Sequence, residues 1–373
     1  MDLLNRLFVA GSGGRVKPST TAAAPVGKAS VVIPCYNYAR YLEASVGSIR
    51  GNGDLAVEII IVDDCSTDDS LAVANRLAAA DSRIRVVPNE KNLGHIATYN
   101  KGLALATGDY VILLSADDLL AEGALARAAR LLAAEPSVGL VYGRTIDFRG
   151  NPPPVSTSDR PDWYVWNGHD WLTARCKAGY NVVPTPSVVM RTSVLRRIGG
   201  YRPELPHAGD FEMWLRTAAV SDIAFVAEVQ AYYRLHDINM HKRDFDSGTS
   251  RGELIDLGQR WDSFRLMFDA MAPDLPDAPQ LRELAARSMA AGVLSRMSHA
   301  YARRTPNFPF YEFEAFAAAI YPNYKSLPEA RTLARRRLVL KAAFLFQPFW
   351  FLVAVVRRIR WEFLRYRRLE VGI

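Results

Sequence analysis

The stretch Val57–Asp64, VEIIIVDD, decides the fold of this 373-residue chain. Its nearly continuous run of β-branched apolar residues predicts a strand that is buried on both faces, as in a parallel sheet. Ser30–Pro34 (SVVIP) is a second such run, and Tyr41–Arg50 between them has a helical pattern. Two buried strands joined by a helix form a βαβ unit, so the sequence predicts an α/β fold.

The same alternation continues along the chain. The further predicted strands are Ile84–Val87, Tyr110–Leu114, Val138–Tyr142, Ser187–Met190 and Tyr232–Leu235. The further predicted helices are Leu71–Ala80, Gly94–Ala106, Ala121–Ala134, Ser193–Ile198 and Phe211–Ala219. Ser66, with Asp69 three positions on, is expected to cap a helix start. These patterns predict a Rossmann-like, mostly parallel sheet flanked by helices, followed by a helical C-terminal extension beyond about Gly252.

Positive charge is concentrated near the C-terminus. The net charge is +7, and the segment from Arg331 to Arg368 holds eleven Lys or Arg against one Glu. The rest of the chain is therefore slightly acidic, which argues against a nucleic-acid partner and for an acidic surface as the partner of the basic end. An apolar fraction of 49% is too low for a protein with many membrane spans.

The cysteines Cys35, Cys65 and Cys176 form no CxxC pair and lack metal-site spacing. Their odd number and scattered positions favour reduced thiols in a cytoplasmic protein. Residues 1–28 lack a secretory signal pattern, since Asp2 and Arg6 flank and interrupt a short apolar stretch. We expect them to form a flexible leader.

Two pairs of carboxylates follow predicted strands. Asp63-Asp64 ends the second strand, and Asp117-Asp118 follows the fourth. In open α/β sheets, ligands bind in the crevice at the carboxyl ends of the strands, where the strand order reverses. Two carboxylate pairs in one crevice repel each other unless a cation or donor groups lie between them. This favours Mg²⁺ or Mn²⁺, which share such sites with substrate phosphates.

Successive motifs of the chain resemble those of family 2 glycosyltransferases, which have the GT-A fold. The matching stretches are, in order, VVIPCYNYARYLEASVGSI, IIIVDDCSTDDS, NLGHIATYNKGLALATGDYVILLSADD, PTPSVVMRTSVLRRIGGYRPELPHAGDFEMWLR and YYRLHDINMH. They extend over about Ser30 to His241, and the occurrence of all of them in this order is highly specific for the family. The resemblance implies an inverting transferase that uses a nucleotide-sugar donor.

The resemblance also implies roles for nucleotide-binding residues. Pro34 and Tyr36 would border the base, and Asp64 would accept a hydrogen bond from it, with uracil or thymine expected. Asp63 would support the base or contact the ribose. Ser115 occupies the first position of the D-x-D element, where the family has Asp, so one carboxylate near the ribose and metal is missing and metal affinity is expected to be lower.

At the diphosphate, the resemblance implies that Asp117 binds Mn²⁺ or Mg²⁺. It also implies that His236 completes the metal site or meets the diphosphate, as a late His does in some members; the alternative is that His236 is a structural or surface histidine. Asp118 would contact the donor sugar or hold the loop. Arg234 either adds a cationic contact to the phosphates or forms a surface ion pair.

Asp210, in HAGDFEMWLR, matches the general base of the family. Inverting transfer needs a group that takes the proton of the acceptor hydroxyl, and a partly shielded carboxylate suits this role. The alternative is that Asp210 only caps the helix Phe211–Ala219. No QxxRW element follows Asp210, which favours transfer of one sugar over processive polymerisation. The aromatic residues Trp163–Trp166 and Trp171 either belong to the core or stack on an acceptor sugar.

The segment 338–356, LVLKAAFLFQPFWFLVAVV, is apolar and flanked by arginines. Lys341 and Pro348 interrupt it, so an amphipathic helix in the plane of an anionic membrane is preferred to a span or to a helix packed on the protein core. The expected organisation is a leader at 1–28, a GT-A domain at 29–250, a helical extension at 251–330 and a membrane-association tail at 331–373.

We therefore expect a cytoplasmic enzyme, associated peripherally with the inner face of the membrane, that moves one sugar from a UDP- or dTDP-sugar to a glycan or lipid-linked glycan acceptor. One alternative is a sugar-phosphate nucleotidylyltransferase, but CYNYARYLE lacks the Gly-rich basic loop that this class has after its first strand. The other is a non-catalytic protein that binds nucleotide sugars, for which Ser115 is the hint.

Overall fold

The computed structural model describes residues 14–17, 27–155, 161–237 and 249–339, together with short stretches between 355 and 373. The chain divides into two compact units. One is drawn from residues 1–171, 182–239 and 370–373, and the other from residues 172–181 and 240–369.

The first unit is built around a ten-stranded sheet. Its strands are β1 (Gly14–Lys17), β2 (Lys28–Cys35), β3 (Ala56–Asp63), β4 (Ile84–Pro88), β5 (Tyr110–Leu113), β6 (Leu119–Leu120), β7 (Val138–Phe148), β8 (Trp163–Trp166), β9 (Val189–Arg191) and β10 (Asp222–Arg234). Its helices are α1 (Ala39–Gly47), α2 (Ser70–Ala80), α3 (His95–Leu105), α4 (Ala124–Ala134), α6 (Thr192–Ile198) and α7 (Gly209–Val220), and α5 (Gly168–Ala178) is shared between the two units.

The second unit is helical in its described residues. Its main helices are α8 (Ser250–Met271), α9 (Ala278–Ala302), α10 (Phe310–Ile320) and α11 (Pro328–Val339). Helix α9 packs against α8, α10 and α11. This arrangement agrees with the helical pattern predicted beyond Gly252.

The strand order of the sheet is β1-β8-β10-β7-β9-β5-β2-β3-β4, with β6 paired to β10. Strands β5, β2, β3 and β4 are parallel to one another, and β7 is parallel to β10. The chain runs from β2 outward through β3 to β4 and then returns to β5 on the other side of β2. The strand order therefore reverses at β2, which is where an open α/β sheet forms its ligand crevice.

Both faces of the parallel strands are buried. Ile33 and Ile61 belong to the core cluster that also contains residues of α1, α2 and α4. On the opposite face, a Cβ added to Gly102 of α3 would lie 2.3 Å from Val32 and 3.1 Å from Val62. Burial on both sides explains why these strands have continuous rather than alternating apolar sequences.

The predicted α/β fold, with a mostly parallel sheet flanked by helices, is confirmed. The predicted helix start at Ser66 is wrong, because α2 begins at Ser70. Ser66 Oγ instead accepts a hydrogen bond from the backbone N–H of Asn37 (3.0 Å). Asn37 Oδ1 accepts the N–H of Thr67 (2.8 Å), so a contact between two loops uses the groups expected to cap the helix.

Two parts of the expected organisation differ from the structure. Residues 14–17, expected in the flexible leader, form β1 and pair with β8. Val371 is buried and the Tyr142 hydroxyl donates to the Gly372 carbonyl, so the last residues of the expected tail pack on the first unit. Trp163–Trp166 form β8 and are buried, as is Trp171, which places these aromatic residues in the core.

The predicted membrane segment at 338–356 lies mostly outside the described residues, which exclude 340–354. Within the part of the chain that the structure describes, none of the helices combines the length and apolar character needed to cross a bilayer.

Candidate active site

The carboxyl end of β2 lies at the point where the strand order reverses. Pro34 is buried and pairs with Val62 of β3, whereas Tyr36 just beyond the strand is 41% exposed. The end of β3 flanks this position on one side, and the residues after β5 flank it on the other. The sheet therefore brings Asp63-Asp64 and Ser115 to the same edge, next to an exposed aromatic ring.

Asp63 and Asp64 are both buried, but their carboxylates have different partners. Asp64 Oδ1 accepts hydrogen bonds from Asn89 Nδ2 (2.7 Å) and from the backbone N–H of Leu93 (2.8 Å), and its Oδ2 accepts the N–H of Gly94 (3.0 Å). Asp63 Oδ2 accepts the N–H of Ser66 (3.1 Å), and its buried Oδ1 has no hydrogen-bond partner among the residues that the structure describes. Asp64 thus holds the loop at 89–94, while Asp63 keeps an unused buried acceptor.

The short strand β6 places Asp117 beside His236. Leu119 and Leu120 of β6 pair antiparallel with Tyr232 and Ala231 of β10, which draws the residues before β6 to the end of β10. His236 Nε2 and Asp117 Oδ2 lie 2.8 Å apart as a result.

Asp118 and Arg234 join the same two segments. Asp118 Oδ1 accepts the backbone N–H of Arg234 (2.9 Å), and Arg234 Nε donates to the Asp117 carbonyl (2.8 Å). The guanidinium carbon of Arg234 also lies 4.7 Å from the ring centroid of Tyr41 and 4.5 Å from that of Phe148. Burial, reinforced by the charge of Asp117, raises the pKa of Asp118 well above its ordinary value.

Asp210 lies in the first turn of α7, which begins at Gly209. Its Oδ2 accepts a hydrogen bond from Thr185 Oγ1 (2.7 Å), and its Oδ1 accepts the backbone N–H of Phe211 (2.7 Å). The loss of surrounding water raises the pKa of Asp210, and the hydrogen bond from Thr185 opposes this rise. A carboxylate that is partly shielded and more basic than usual is suited to accept a proton.

A buried ion-pair network fixes the helix that carries Asp210. Glu212 is 0% exposed and accepts hydrogen bonds from Arg202 Nε (2.8 Å) and from Arg216 Nε (2.8 Å) and Nη2 (2.7 Å). Arg216 also donates to the carbonyls of Gly199 (3.1 Å) and Gly200 (2.8 Å). These contacts tie the first turns of α7 to the loop after α6, because a buried charge must have its hydrogen bonds satisfied.

Tyr99 of α3 is close enough to both groups of carboxylates to feel their charges, and the sequence analysis did not identify it. Burial raises the pKa of Tyr99, and the negative charges of Asp117, Asp210 and Asp118 raise it further. The Tyr99 ring packs edge-on against Tyr201 with ring centroids 5.5 Å apart. The Asp117–His236 pair and Asp210 therefore lie around one region of the first unit.

Residues 30–198 match the sequence model named Glycosyl transferase family 2. They form a family 2 glycosyltransferase domain. The match covers the strands from β2 to β9, and Asp210, Arg234 and His236 follow it in the same unit.

Relatives of this glycosyltransferase domain include an uncharacterized glycosyltransferase of Nostoc sp., which is 29% identical over 229 residues, or 57% of this chain and 66% of that protein. TuaG of Bacillus subtilis, a proposed teichuronic acid biosynthesis glycosyltransferase, is 42% identical over 89 residues, or 24% of this chain and 35% of TuaG. The chain thus spans less than two thirds of either relative.

The structure of residues 1–349 of S. aureus TarS in complex with UDP-GlcNAc aligns with a TM-score of 0.56 and 16% sequence identity. The alignment covers 85% of this chain and 91% of the TarS chain. At this level of identity, the likeness shows a shared fold, which is that of GT-A glycosyltransferases.

The donor set of the glycosyltransferase domain fits a hard divalent cation. Asp117 offers a carboxylate oxygen and His236 an imidazole nitrogen at the same position. No group of three or more His, Cys, Asp or Glu suited to a metal ion occurs within the described ranges. A cation held there by these two side chains would take its other ligands from water and phosphate oxygens, as Mg²⁺ commonly does.

The structure brings the predicted site residues of the glycosyltransferase domain to one edge of the sheet, with differences in their contacts. The carboxylate of Asp64, predicted to meet the base, already accepts three hydrogen bonds from its own chain. Arg234, predicted to contact phosphate or to form a surface ion pair, uses Nε and Nη1 on backbone carbonyls. The alternative that Asp210 caps the helix as its N-cap residue is wrong. The N-cap residue is Ala208, and Asp210 lies inside the first turn.

We predict that replacing Asp64 with Ala releases the loop at 89–94. Three hydrogen bonds to the Asp64 carboxylate are lost, so the free energy of unfolding is expected to fall by about 2–3 kcal/mol. Hydrogen exchange at the amides of Leu93 and Gly94 is expected to accelerate at least tenfold. Asp63→Ala serves as the control, since the Asp63 carboxylate accepts the N–H of Ser66 and only the Asp63 backbone carbonyl, which the substitution keeps, contacts this loop. Equal exchange rates at Leu93 and Gly94 in Asp64→Ala and the unmodified protein would contradict the assignment.

Proposed function

We propose that this chain transfers a single sugar, with inversion, from a UDP- or dTDP-sugar to a hydroxyl of a glycan or lipid-linked glycan. The observation that carries the proposal is the placement of Asp210 and the Asp117–His236 pair around Tyr99, whose pKa responds to the charges of Asp117 and Asp210. A proton acceptor and a binding site for a charged leaving group are the two elements that this reaction needs.

The nucleotide would lie at the carboxyl end of β2. The exposed ring of Tyr36 offers a stacking surface for the base, and the unused buried Oδ1 of Asp63 offers an acceptor for a base or ribose donor. Asp64 would contribute to nucleotide binding indirectly, by holding the loop at 89–94 in place. The half-buried Ser115 leaves the ribose with one carboxylate fewer than the family pattern.

In the reaction, Asp210 would take the proton of the acceptor hydroxyl while that oxygen attacks the sugar from the side opposite the diphosphate. A bound Mn²⁺ or Mg²⁺ would neutralise the charge of the leaving diphosphate. Asp117 and His236 would hold that ion. Arg234 and Asp118 would keep the end of β10 against the loop that carries Asp117, so that the ligands stay in register.

The polysaccharide role of the acceptor is supported by the likeness to TuaG over 89 residues and by the basic end of the chain. Eleven Lys or Arg between Arg331 and Arg368 would attract an anionic membrane, where lipid-linked acceptors lie. We propose peripheral attachment to the inner face of the cell membrane.

Co-sedimentation with lipid vesicles tests this attachment. At low salt, the protein is expected to sediment with phosphatidylglycerol vesicles but not with phosphatidylcholine vesicles. Equal sedimentation with both kinds of vesicle would refute the proposal.

Nucleotide binding is predicted to depend on a divalent cation. Calorimetric titration with UDP and dTDP, each with Mn²⁺, with Mg²⁺ and with EDTA, is expected to show micromolar binding that EDTA abolishes. Asp117→Asn should weaken the metal-dependent binding at least tenfold. The control is Asp69→Asn, because Asp69 is exposed and makes no side-chain cap hydrogen bond.

Two results of this titration would be decisive against the proposal. Tight binding that ignores EDTA would exclude the metal-assisted mechanism while keeping the nucleotide site. The absence of detectable binding of UDP, dTDP, GDP and CDP would indicate a protein that does not use nucleotide sugars.

Asp210→Asn is predicted to keep nucleotide affinity within twofold and to lower the rate of transfer by about 10²- to 10⁴-fold, since a neutral amide cannot take a proton. Release of UDP or dTDP from a panel of donors, with glycan and lipid-linked acceptors, measures the rate. Glu204→Gln is the matched control, because Glu204 is an exposed carboxylate in the preceding loop.

The stability of Asp210→Asn gives a check on folding. Because burial raises the pKa of Asp210, ionising this group costs stability as the pH rises through that pKa. The variant should therefore melt at a higher temperature than the unmodified protein at pH 8, and the gain should shrink as the pH falls toward 4. Full transfer activity in a folded Asp210→Asn protein would remove Asp210 from the mechanism.

A further inference from the structure

Thr185 makes a direct contact with the proposed base. Its hydroxyl Oγ1 donates to Asp210 Oδ2 at 2.7 Å, the usual length of an O–H···O hydrogen bond. The other carboxylate oxygen accepts the N–H of Phe211. Hydrogen bonds to both oxygens fix the plane of the carboxylate.

The backbone around Thr185 is held independently of Asp210. Thr185–Ser187 form a 3₁₀ turn, in which the Thr185 carbonyl accepts the N–H of Val188 (3.1 Å). Ser187 Oγ donates to the Pro184 carbonyl (2.8 Å) and accepts the N–H of Gly143 in β7 (3.3 Å). The hydroxyl of Thr185 is therefore presented from a turn attached to the sheet, whereas Asp210 comes from α7.

Several groups act on the charge of Asp210. Burial opposes ionisation. Burial also raises the pKa values of Tyr99 and Tyr201, and the charge of Asp210 adds to the rise at both, after the charge of Asp117 at Tyr99. The Thr185 hydroxyl, the Phe211 N–H and the nearby His207 favour ionisation. Of these groups, the Thr185 hydroxyl gives the largest stabilisation of the ionised form.

We infer that Thr185 is a positioning residue that keeps Asp210 ionised and oriented for proton transfer near neutral pH. This inference rests on the base role proposed for Asp210. A recessed carboxylate gains basicity from burial, but it must still lose its own proton before it can accept one from a hydroxyl. The Thr185 hydroxyl offsets part of the burial effect and so sets the lower pH limit at which the base is ready.

The surroundings of Thr185 allow its hydroxyl to be removed without a change of shape. Thr185 lines a small cavity of about 10 Å³ whose other walls are largely apolar, including Leu103, Val111, Val188 and Met190. A valine in place of Thr185 has nearly the same volume and meets an apolar wall. Thr185→Val should therefore fold, and Thr185→Ser restores a hydroxyl at the same position.

The test is a ¹³C NMR titration of the Asp210 carboxyl in the full chain labelled with ¹³C-aspartate, with Asp210→Asn used to assign the signal. Thr185→Val is expected to raise the pKa of Asp210 by about one unit, the size expected for a lost hydrogen bond to a charged group. Thr185→Ser should stay within about 0.3 units of the unmodified protein on the same scale. Thr217→Val is the control, because buried Thr217 of α7 donates to the Met213 carbonyl and not to Asp210.

The acid limb of kcat/KM for transfer should move to higher pH by the same amount in Thr185→Val, with UDP affinity unchanged. An unchanged Asp210 pKa in Thr185→Val, or an equal shift in Thr185→Ser, would overturn the inference. The titration needs neither donor nor acceptor, so it is decided separately from the proposed function. A shifted pKa with an unmoved acid limb would instead refute the base role of Asp210.

Discussion

Two hydrogen-bonded ladders meet at β2, one shared with β3 and the other with β5, and the position of the site follows from them. Val31 pairs with Ile59 on one side and with Ile112 on the other, so the three strands end at one edge. The chain can reach both sides of β2 only by reversing its direction of travel across the sheet. That reversal opens the crevice into which the loops after β2, β3 and β5 project.

The strands and the sheet edge could be predicted because burial on both faces leaves a strong trace in the sequence. The run from Ile59 to Val62 and the carboxylates that follow it define one end of the crevice without further information. The roles of Asp117, Asp210 and His236 came from a family resemblance, since spacing alone does not bring a residue near position 117 to one near 236. The two-residue strand β6 that joins them is too short to give a periodic signal.

Contacts between loops account for most of what the sequence did not reveal. The Ser66–Asp69 stretch has the composition of a helix start. However, Ser66 Oγ accepts the N–H of Asn37 and Asn37 Oδ1 accepts the N–H of Thr67, so these groups do not cap a helix. Thr185 is an uncharged residue at the start of a motif that also contains its partner Asp210, 25 residues away, and nothing in the motif indicates that the two side chains meet. Tyr99 is one aromatic residue on a helix. The roles of such residues depend on their neighbours in the folded chain, and a single sequence does not indicate which residues become neighbours.

The charged groups of the first unit fall into two kinds. Glu212, Arg216 and Arg202 are matched to one another, and Arg234 is matched to carbonyls and ring faces, so their charges stabilise geometry. Asp63 and Asp210 differ from these groups, because one has a buried oxygen that accepts no hydrogen bond from the described residues and burial raises the pKa of the other. In a folded domain, groups of this kind concentrate where ligands bind and react.

The three hydrogen bonds that Asp64 accepts from the loop at 89–94 also bear on the thermodynamics of recognition. A loop that is already fixed in the free protein loses little conformational entropy when a ligand arrives. Affinity at this edge then depends on the contacts made rather than on the cost of ordering the chain. The same rigidity limits the range of bases that the edge can accommodate, because a preorganised wall cannot move to accept a larger ring.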